Sequence, residues 1–147
     1  MTRRRRPDRF AALETPFAYR PIRMLMSPAY RHLSLSARRV LDRIEIEFAH
    51  HGGTNNGRLP VTYDDFTNYG IHRHCIAPAI RELEALGFIR VTEVGRAGNA
   101  EWRRPNLFRL THRSMDRNPV TNEWAQIQTD EQARDLARRA RAASPRK

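Results

Sequence analysis

Residues 71–91, IHRHCIAPAIRELEALGFIRV, restrict the fold most, because a helical pattern passes through a glycine into a strand pattern. The apolar side chains at helical spacing predict one core-facing helix face: Ile76, Ile80 and Leu83, with Ala79 and Leu86 beside them. Gly87 is placed as a C-cap glycine, and FIRVTEV (88–94) predicts a strand. A helix joined to a strand by a tight glycine turn is therefore expected here.

Pro78 interrupts this helical pattern and leaves two arrangements open. The helix could begin near Ala77, with Pro78 near its first position, where a missing N–H does no harm. Alternatively, the helix could run through Pro78 with a kink that tilts residues 72–74 relative to the core-bound half. The shared face of Ile76 and Ile80 favours the kinked helix.

The preceding residues predict two helices and an edge strand. Ser27 caps a short helix to about Leu33, and Ser36 is expected to cap a longer helix over 37–51. The apolar face of the longer helix comprises Val40, Leu41, Ile44 and Phe48. RLPVT (58–62) predicts a strand that Pro60 restricts to a sheet edge.

A second short helix follows this strand. Thr62 and Asp65 form a capping-box pattern, and Gly70 stops the helix.

Beyond the glycine turn, the pattern predicts a hairpin. LFRLT (107–111) is its second strand. The arginine-rich loop 95–106 is longer than an ordinary hairpin loop, and long loops are often functional. Thr129 and Gln132 predict a capping box for a final helix ending near Ala143, with a narrow apolar stripe. That stripe could pack on the domain, pack on a second subunit in a homodimer, or leave the helix solvated.

The expected organisation is one α+β, mostly helical domain with basic extensions. It comprises a flexible basic arm at 1–22, a folded domain at 23–113, a linker at 114–128 and a C-terminal helix and tail at 129–147.

The charge balance indicates a polyanionic partner. The formal net charge is +11, and all the basic residues except Lys147 are arginines, whose planar fork suits phosphates and guanine edges. A single cysteine excludes an internal disulfide framework and suits a reducing cytosol. No apolar run approaches the ~20 residues of a membrane span, so we expect a cytoplasmic protein without a membrane partner.

Three segments resemble the winged helix-turn-helix family of DNA-binding proteins from bacterial chromosomes and mobile elements, including replication-initiator-type winged helices. They are LSLSARRVLDRI, VTYDDFTNYGIHRH and AIRELEALGFIRV. The resemblance covers about residues 27–112. It implies a single winged-helix domain bound to double-stranded DNA in the bacterial nucleoid. It also implies that the recognition helix, about 72–86, enters the major groove, while the wing, about 95–106, touches backbone or minor groove.

Several side chains are candidates for DNA contact. With Ile76 and Ile80 on the core, His74, Pro78 and Arg81 point away from it. Ala77 on the flank permits close approach, and Arg73 reaches the groove if it lies in the turn or if the helix bends. The full candidate set is His72, Arg73, His74, Ala77 and Arg81 on the helix, Arg96, Arg103 and Arg104 on the loop, and Tyr63 and Asn68 as phosphate contacts.

Other chemistry is less favoured by the residues. His72, His74 and Cys75 are too few and badly spaced for zinc, and Cys75 lacks an orienting partner for a nucleophilic role, so a half-buried structural cysteine is expected. Trp102 is expected to cover the hairpin core rather than stack on a base. No phosphate-binding glycine motif, cofactor site or small-molecule site is evident, and we expect no enzyme.

The leading hypothesis is a sequence-specific transcriptional regulator. A replication-initiation or mobile-element DNA protein is the nearest alternative. An RNA- or protein-binding winged helix is the second.

Overall fold

The computed structural model describes residues 16–96 and 104–144 of the 147-residue chain. Within these ranges the chain is a small α+β domain with six helices and a three-stranded antiparallel sheet. The helices are α1 (Ile22–Leu25), α2 (Pro28–Arg31), α3 (Leu35–His50), α4 (Tyr63–Asn68), α5 (Arg73–Ala85) and α6 (Asp130–Ala142), with a 3-10 turn at Glu123–Gln126. The strands are β1 (Leu59–Val61), β2 (Ile89–Glu93) and β3 (Asn106–Leu110).

The first helices follow the predicted pattern, with one correction to a cap. Ser27 caps α2 by accepting a hydrogen bond from the N–H of Tyr30. The long helix α3 is capped by Ser34 and not by Ser36, because the Ser34 hydroxyl accepts from the N–H of Ala37 at 3.1 Å. The predicted apolar face of α3 is buried, as expected: Val40, Leu41, Ile44 and Phe48.

The helix pair α4–α5 is fixed by a cap and a glycine. Thr62 and Asp65 form the predicted capping box at the start of α4. Gly70 has φ +101°, and a Cβ there would come within 2.6 Å of Nη2 of Arg39. The Arg39 guanidinium donates to the carbonyls of Tyr69 and Gly70, and the left-handed backbone of residue 70 is what favours glycine there.

Helix α5 runs continuously across Pro78, so the start near Ala77 was the wrong arrangement. The helix begins at Arg73, with His72 as the residue before its first turn. Pro78 has no N–H to donate to the carbonyl of His74, but the packing of Ile76, Ala79 and Ile80 on the core keeps both halves in one helix. Gly87 ends the helix with φ +83°, as predicted.

The sheet has the order β1-β3-β2, so the proline-bearing strand β1 lies at an edge, as predicted. Leu59 pairs with Phe108 across β1 and β3, and Ile89 pairs with Leu110 across β2 and β3. A register shift follows Val91, and an isolated bridge then joins Arg96 to Arg104. The backbone pairing therefore continues into the predicted loop 95–106.

The predicted linker, 114–128, contributes to the core. Trp124 is 2% exposed and its ring stacks parallel to Phe88 at 6.4 Å, while Ile127 is also buried. Beyond it, α6 packs on α5 and α2 through buried Ala133 and Ala137. Packing on the domain is thus the arrangement that this helix adopts.

Of the predicted arm, residues 1–15 lie outside the described residues. At its end, Arg20 ion-pairs with Asp42 and Glu45 on α3. No helix in the described ranges is long and apolar enough to cross a bilayer.

Candidate nucleic-acid interface

A groove runs between the start of the α4–α5 pair and the base of the β2–β3 hairpin. Tyr63 and Arg73 line one side, and Arg96 and Arg104 line the other, with Val94 and Pro105 completing the wall. We call this surface the basic groove. No carboxylate lines it among the residues that the structure describes. Three guanidiniums and an aromatic ring around an open concave surface suit a phosphate backbone with its attached sugars.

Local structure fixes both walls of the basic groove. The capping box of α4 sets the position of Tyr63, the first residue of that helix. On the other wall, Gly95 allows the strands to cross closely, because a Cβ there would lie 2.5 Å from the carbonyl oxygen of Arg104. Arg96 and Arg104 exchange two backbone hydrogen bonds at 2.8 and 2.9 Å. Their side chains therefore leave the hairpin base from paired positions.

Arg73 is the best-placed residue of the predicted recognition helix. Its Nη1 donates to Oδ1 of Asp64 at 2.9 Å, and its guanidinium lies 5.8 Å from the centroid of the Tyr63 ring. The side chain remains 57% exposed. Surface ion pairs contribute only about 0–1 kcal/mol, so this pair orients the Arg73 side chain but does not hold it strongly. A phosphate or a guanine can therefore replace Asp64 as the partner of Arg73.

Apart from Tyr63 and Arg73, the candidates on α4 and α5 do not line the basic groove, as far as the structure describes it. His72 and His74 are exposed, and their rings stack on each other at 5.7 Å. Ala77 and Pro78 are half-buried on the same helix. Asn68 is exposed at the last residue of α4, away from the groove lining. Arg103 and Trp102 lie outside the described residues, so their predicted roles stay predictions.

Arg81 occupies a different environment from Arg73. Its Nε donates to the carbonyl of Ala140 at 2.9 Å, and its Nη2 donates to the carbonyl of Arg141 at 3.2 Å. These are last-turn carbonyls of α6, which have no partner within their own helix. The structure therefore places Arg81 as a cap for α6 and does not bring it to the basic groove.

Glu82 is a residue that sequence reasoning missed. It is fully buried on α5, and its carboxylate accepts from the backbone N–H of Ser34 at 2.7 Å and from the Ser34 hydroxyl at 2.8 Å. Arg141 adds an ion pair at 3.2 Å. Helical spacing from the buried Ala79 and Leu86 was the available signal, since position 82 falls between them on one stripe. Glu82 ties α5 to the start of α3 and to the end of α6.

A second buried charge cluster holds the N-terminal segment to α3. Burial alone would raise the pKa of Glu45, but the hydrogen bond from His112, the charge of His112 and the charge of Arg20 outweigh it, so that pKa is lowered. The pKa of Arg20 is raised, because Glu45 and Asp42 outweigh the opposing effect of its burial. The residues of this cluster stabilise the fold, and none of them lines the basic groove.

The histidine and cysteine candidates do not converge on a metal site. Within residues 16–96 and 104–144, no three histidine, cysteine or acidic side chains come together in a geometry that could hold a metal ion. Cys75 is half-buried and packs against the core, as predicted for a structural cysteine.

Comparison with protein-family models, with curated proteins and with solved structures yields no match. The geometry and charge of the basic groove therefore carry the functional assignment.

Proposed function

We propose that this chain is a winged-helix protein that binds double-stranded DNA with sequence preference, most simply as a transcriptional regulator. Helix α5 enters the major groove, and the β2–β3 hairpin with its loop 95–106 lies on the backbone or in the minor groove. The single observation that carries the proposal is the basic groove, where Arg73 of α5 faces Arg96 and Arg104 of the hairpin.

The element order supports this assignment. A core helix, an edge strand, a two-helix turn and a hairpin follow one another as α3, β1, α4, α5, β2 and β3. Strand β1 pairs with β3, so the hairpin and the two-helix turn lie on a common small sheet and core. This is the order that the winged-helix resemblance implies, and it puts the start of α5 and the hairpin base at one surface.

The residues divide the work of recognition by position. Arg73 sits at the N-terminal end of α5, the end that contacts base edges when such a helix lies in the major groove. Its fork can bond guanine O6 and N7 together. Arg96 and Arg104 lie on the hairpin, where arginines contact phosphates and set affinity without sequence choice. The net charge of +11 supplies long-range attraction to the same partner.

The first experiment is selection of bound duplexes from a genomic or random pool at fixed salt, followed by binding titrations of variants on the selected site. Arg73→Ala should cost about 1–3 kcal/mol on that site and relax its sequence preference. Arg104→Ala should weaken binding to all duplexes and reduce the slope of log K against log salt by about 1.

Arg117→Ala is the charge-matched control. Arg117 is exposed and follows the end of β3 that is opposite the hairpin loop. If Arg73→Ala and Arg104→Ala bind no differently from Arg117→Ala, the basic groove does not contact DNA. Preference of the parent for single-stranded RNA over every duplex would instead favour the RNA-binding alternative.

A further inference from the structure

Helix α6 is docked by small apolar contacts and by polar anchors at both ends. Its buried apolar residues are alanines, Ala133 and Ala137, with Leu136 half-buried beside them. At its start, Asp130 pairs with Arg31 at 2.9 Å and with His32 at 3.1 Å, and Asp130 and Arg31 are about half exposed. At its end, the carbonyls of Ala140 and Arg141 accept from Arg81.

These contacts bury little apolar surface, although they include the ion pair of Arg141 with the buried Glu82 at 3.2 Å. Exposed ion pairs contribute little, and alanine buries less apolar surface than the leucines and phenylalanines of the central core. Elements with little buried apolar surface open at a lower free energy than the rest of a domain. Among the described helices of eight or more residues, α6 buries the smallest apolar side chains, which favours its release over that of α3 or α5.

The docked helix disfavours DNA at the middle of α5. Arg81 lies on the stripe that faces away from the core, with Pro78 one turn earlier and His74 two turns earlier. In the docked state, its Nε and Nη2 are occupied by carbonyls. While these bonds hold, the same two nitrogens cannot donate to a phosphate or to a base edge.

We propose that α6 is a releasable clasp that competes with duplex DNA for Arg81, an inference that rests on the proposed function. Release of α6 frees Arg81 for a phosphate or a base edge in the major groove. The clasp then sets the apparent affinity, because only the fraction of molecules with α6 released binds with all its contacts.

Release does not orphan the buried carboxylate beneath the clasp. Glu82 loses the ion pair with Arg141, but it keeps both hydrogen bonds from Ser34, at 2.7 and 2.8 Å. Since α5 and α3 stay joined through these bonds, the groove-facing part of the domain is kept when α6 leaves.

The test compares two charge-neutral substitutions in the full-length chain, Ala137→Gln and Ala142→Gln. Ala137 is 1% exposed in the contact with the domain, whereas Ala142 is exposed at the end of the same helix. Ala137→Gln should release α6 and tighten binding to the selected duplex by roughly 10-fold, as expected if about one molecule in ten is open in the parent. Ala142→Gln should bind like the parent. Equal or weaker binding by a folded Ala137→Gln variant overturns the clasp.

Hydrogen exchange on the unmodified chain gives an independent readout that does not depend on the variant folding. Saturation with the selected duplex should make the backbone amides of α6 exchange about 10-fold faster or more, while those of α3 keep their protection. Unchanged or increased protection of α6 overturns the clasp. If the parent binds and Arg73→Ala weakens it while α6 stays protected, only the clasp fails. If the parent binds no duplex, both proposals fail.

Discussion

Gly87→Ala tests whether the turn after α5 packs so closely on the 3-10 turn that carries Trp124 that no side chain fits between them. Gly87 has φ +83°, and a Cβ there would lie 2.5 Å from the backbone nitrogen of Trp124 and 2.7 Å from the carbonyl carbon of Glu123. The turn cannot shift easily, because Thr111 donates to the Gly87 carbonyl at 2.6 Å. The added methyl group therefore meets backbone atoms on a rigid neighbour.

Two costs add in this variant. A left-handed backbone costs an alanine about 1–2 kcal/mol relative to glycine. Forcing a methyl group into a filled space costs about 1–3 kcal/mol more. We expect Gly87→Ala to lower the free energy of unfolding by roughly 2–5 kcal/mol, which corresponds to a fall in Tm of about 2–4 °C per kcal/mol for a chain of this size.

Gly52→Ala is the matched control for the backbone term. Gly52 has φ +66°, and a Cβ there meets nothing within 4 Å. Urea denaturation of both variants should place the midpoint of Gly87→Ala below that of Gly52→Ala by an amount equivalent to about 1–3 kcal/mol, with unchanged slopes. Equal losses in the two variants would refute the argued contact between the glycine turn and the Trp124 turn.

Three further predictions concern stability. The folded pKa of Glu45 is lowered from its ordinary 4.5, so the stabilisation that its carboxylate gives is complete above pH 4.5 and is lost as the pH falls through the lowered pKa. Glu45→Gln should therefore flatten the decline in unfolding free energy over that acid range. Asn56→Ala should lower the free energy of unfolding in urea by about 2–4 kcal/mol, because the buried side-chain amide hydrogen-bonds the N–H and carbonyl of Leu110 and the carbonyls of Arg113 and Ser114. Wild-type stability of this variant would contradict the prediction. Pro78→Ala restores a donor for the carbonyl of His74 and should raise the unfolding free energy by ~1–3 kcal/mol; a loss of stability would show that α5 depends on its proline.

Elements governed by local patterns were predicted well from the sequence. The core faces of α3 and α5, the capping box at Thr62 and Asp65, and the glycine end of α5 each depend on residues within a few positions of one another. The edge position of β1 also followed from one residue, since Pro60 has no N–H to donate to a second neighbouring strand. Local steric and hydrogen-bonding rules suffice for such features.

The cap of α3 shows where local reasoning ends. Ser34 and Ser36 are both good capping residues, and the pattern alone favoured Ser36. In the fold, Glu82 binds the N–H and hydroxyl of Ser34 from 48 residues away, and the cap forms there. A contact between distant segments selected one of two locally equivalent choices.

The candidate site divides along the same line. The sequence by itself predicted that Arg81 leaves the core face of α5 and that a basic hairpin follows, because periodicity and charge are local properties, but it left the position of Arg73 open. Only the tertiary structure decided that Arg73 faces Arg96 and Arg104 across the basic groove, while Arg81 bonds the end of α6, 59 residues away. Two arginines of the same helix thus have different partners, because the partner of a long side chain is set by whatever the folded chain brings within its reach.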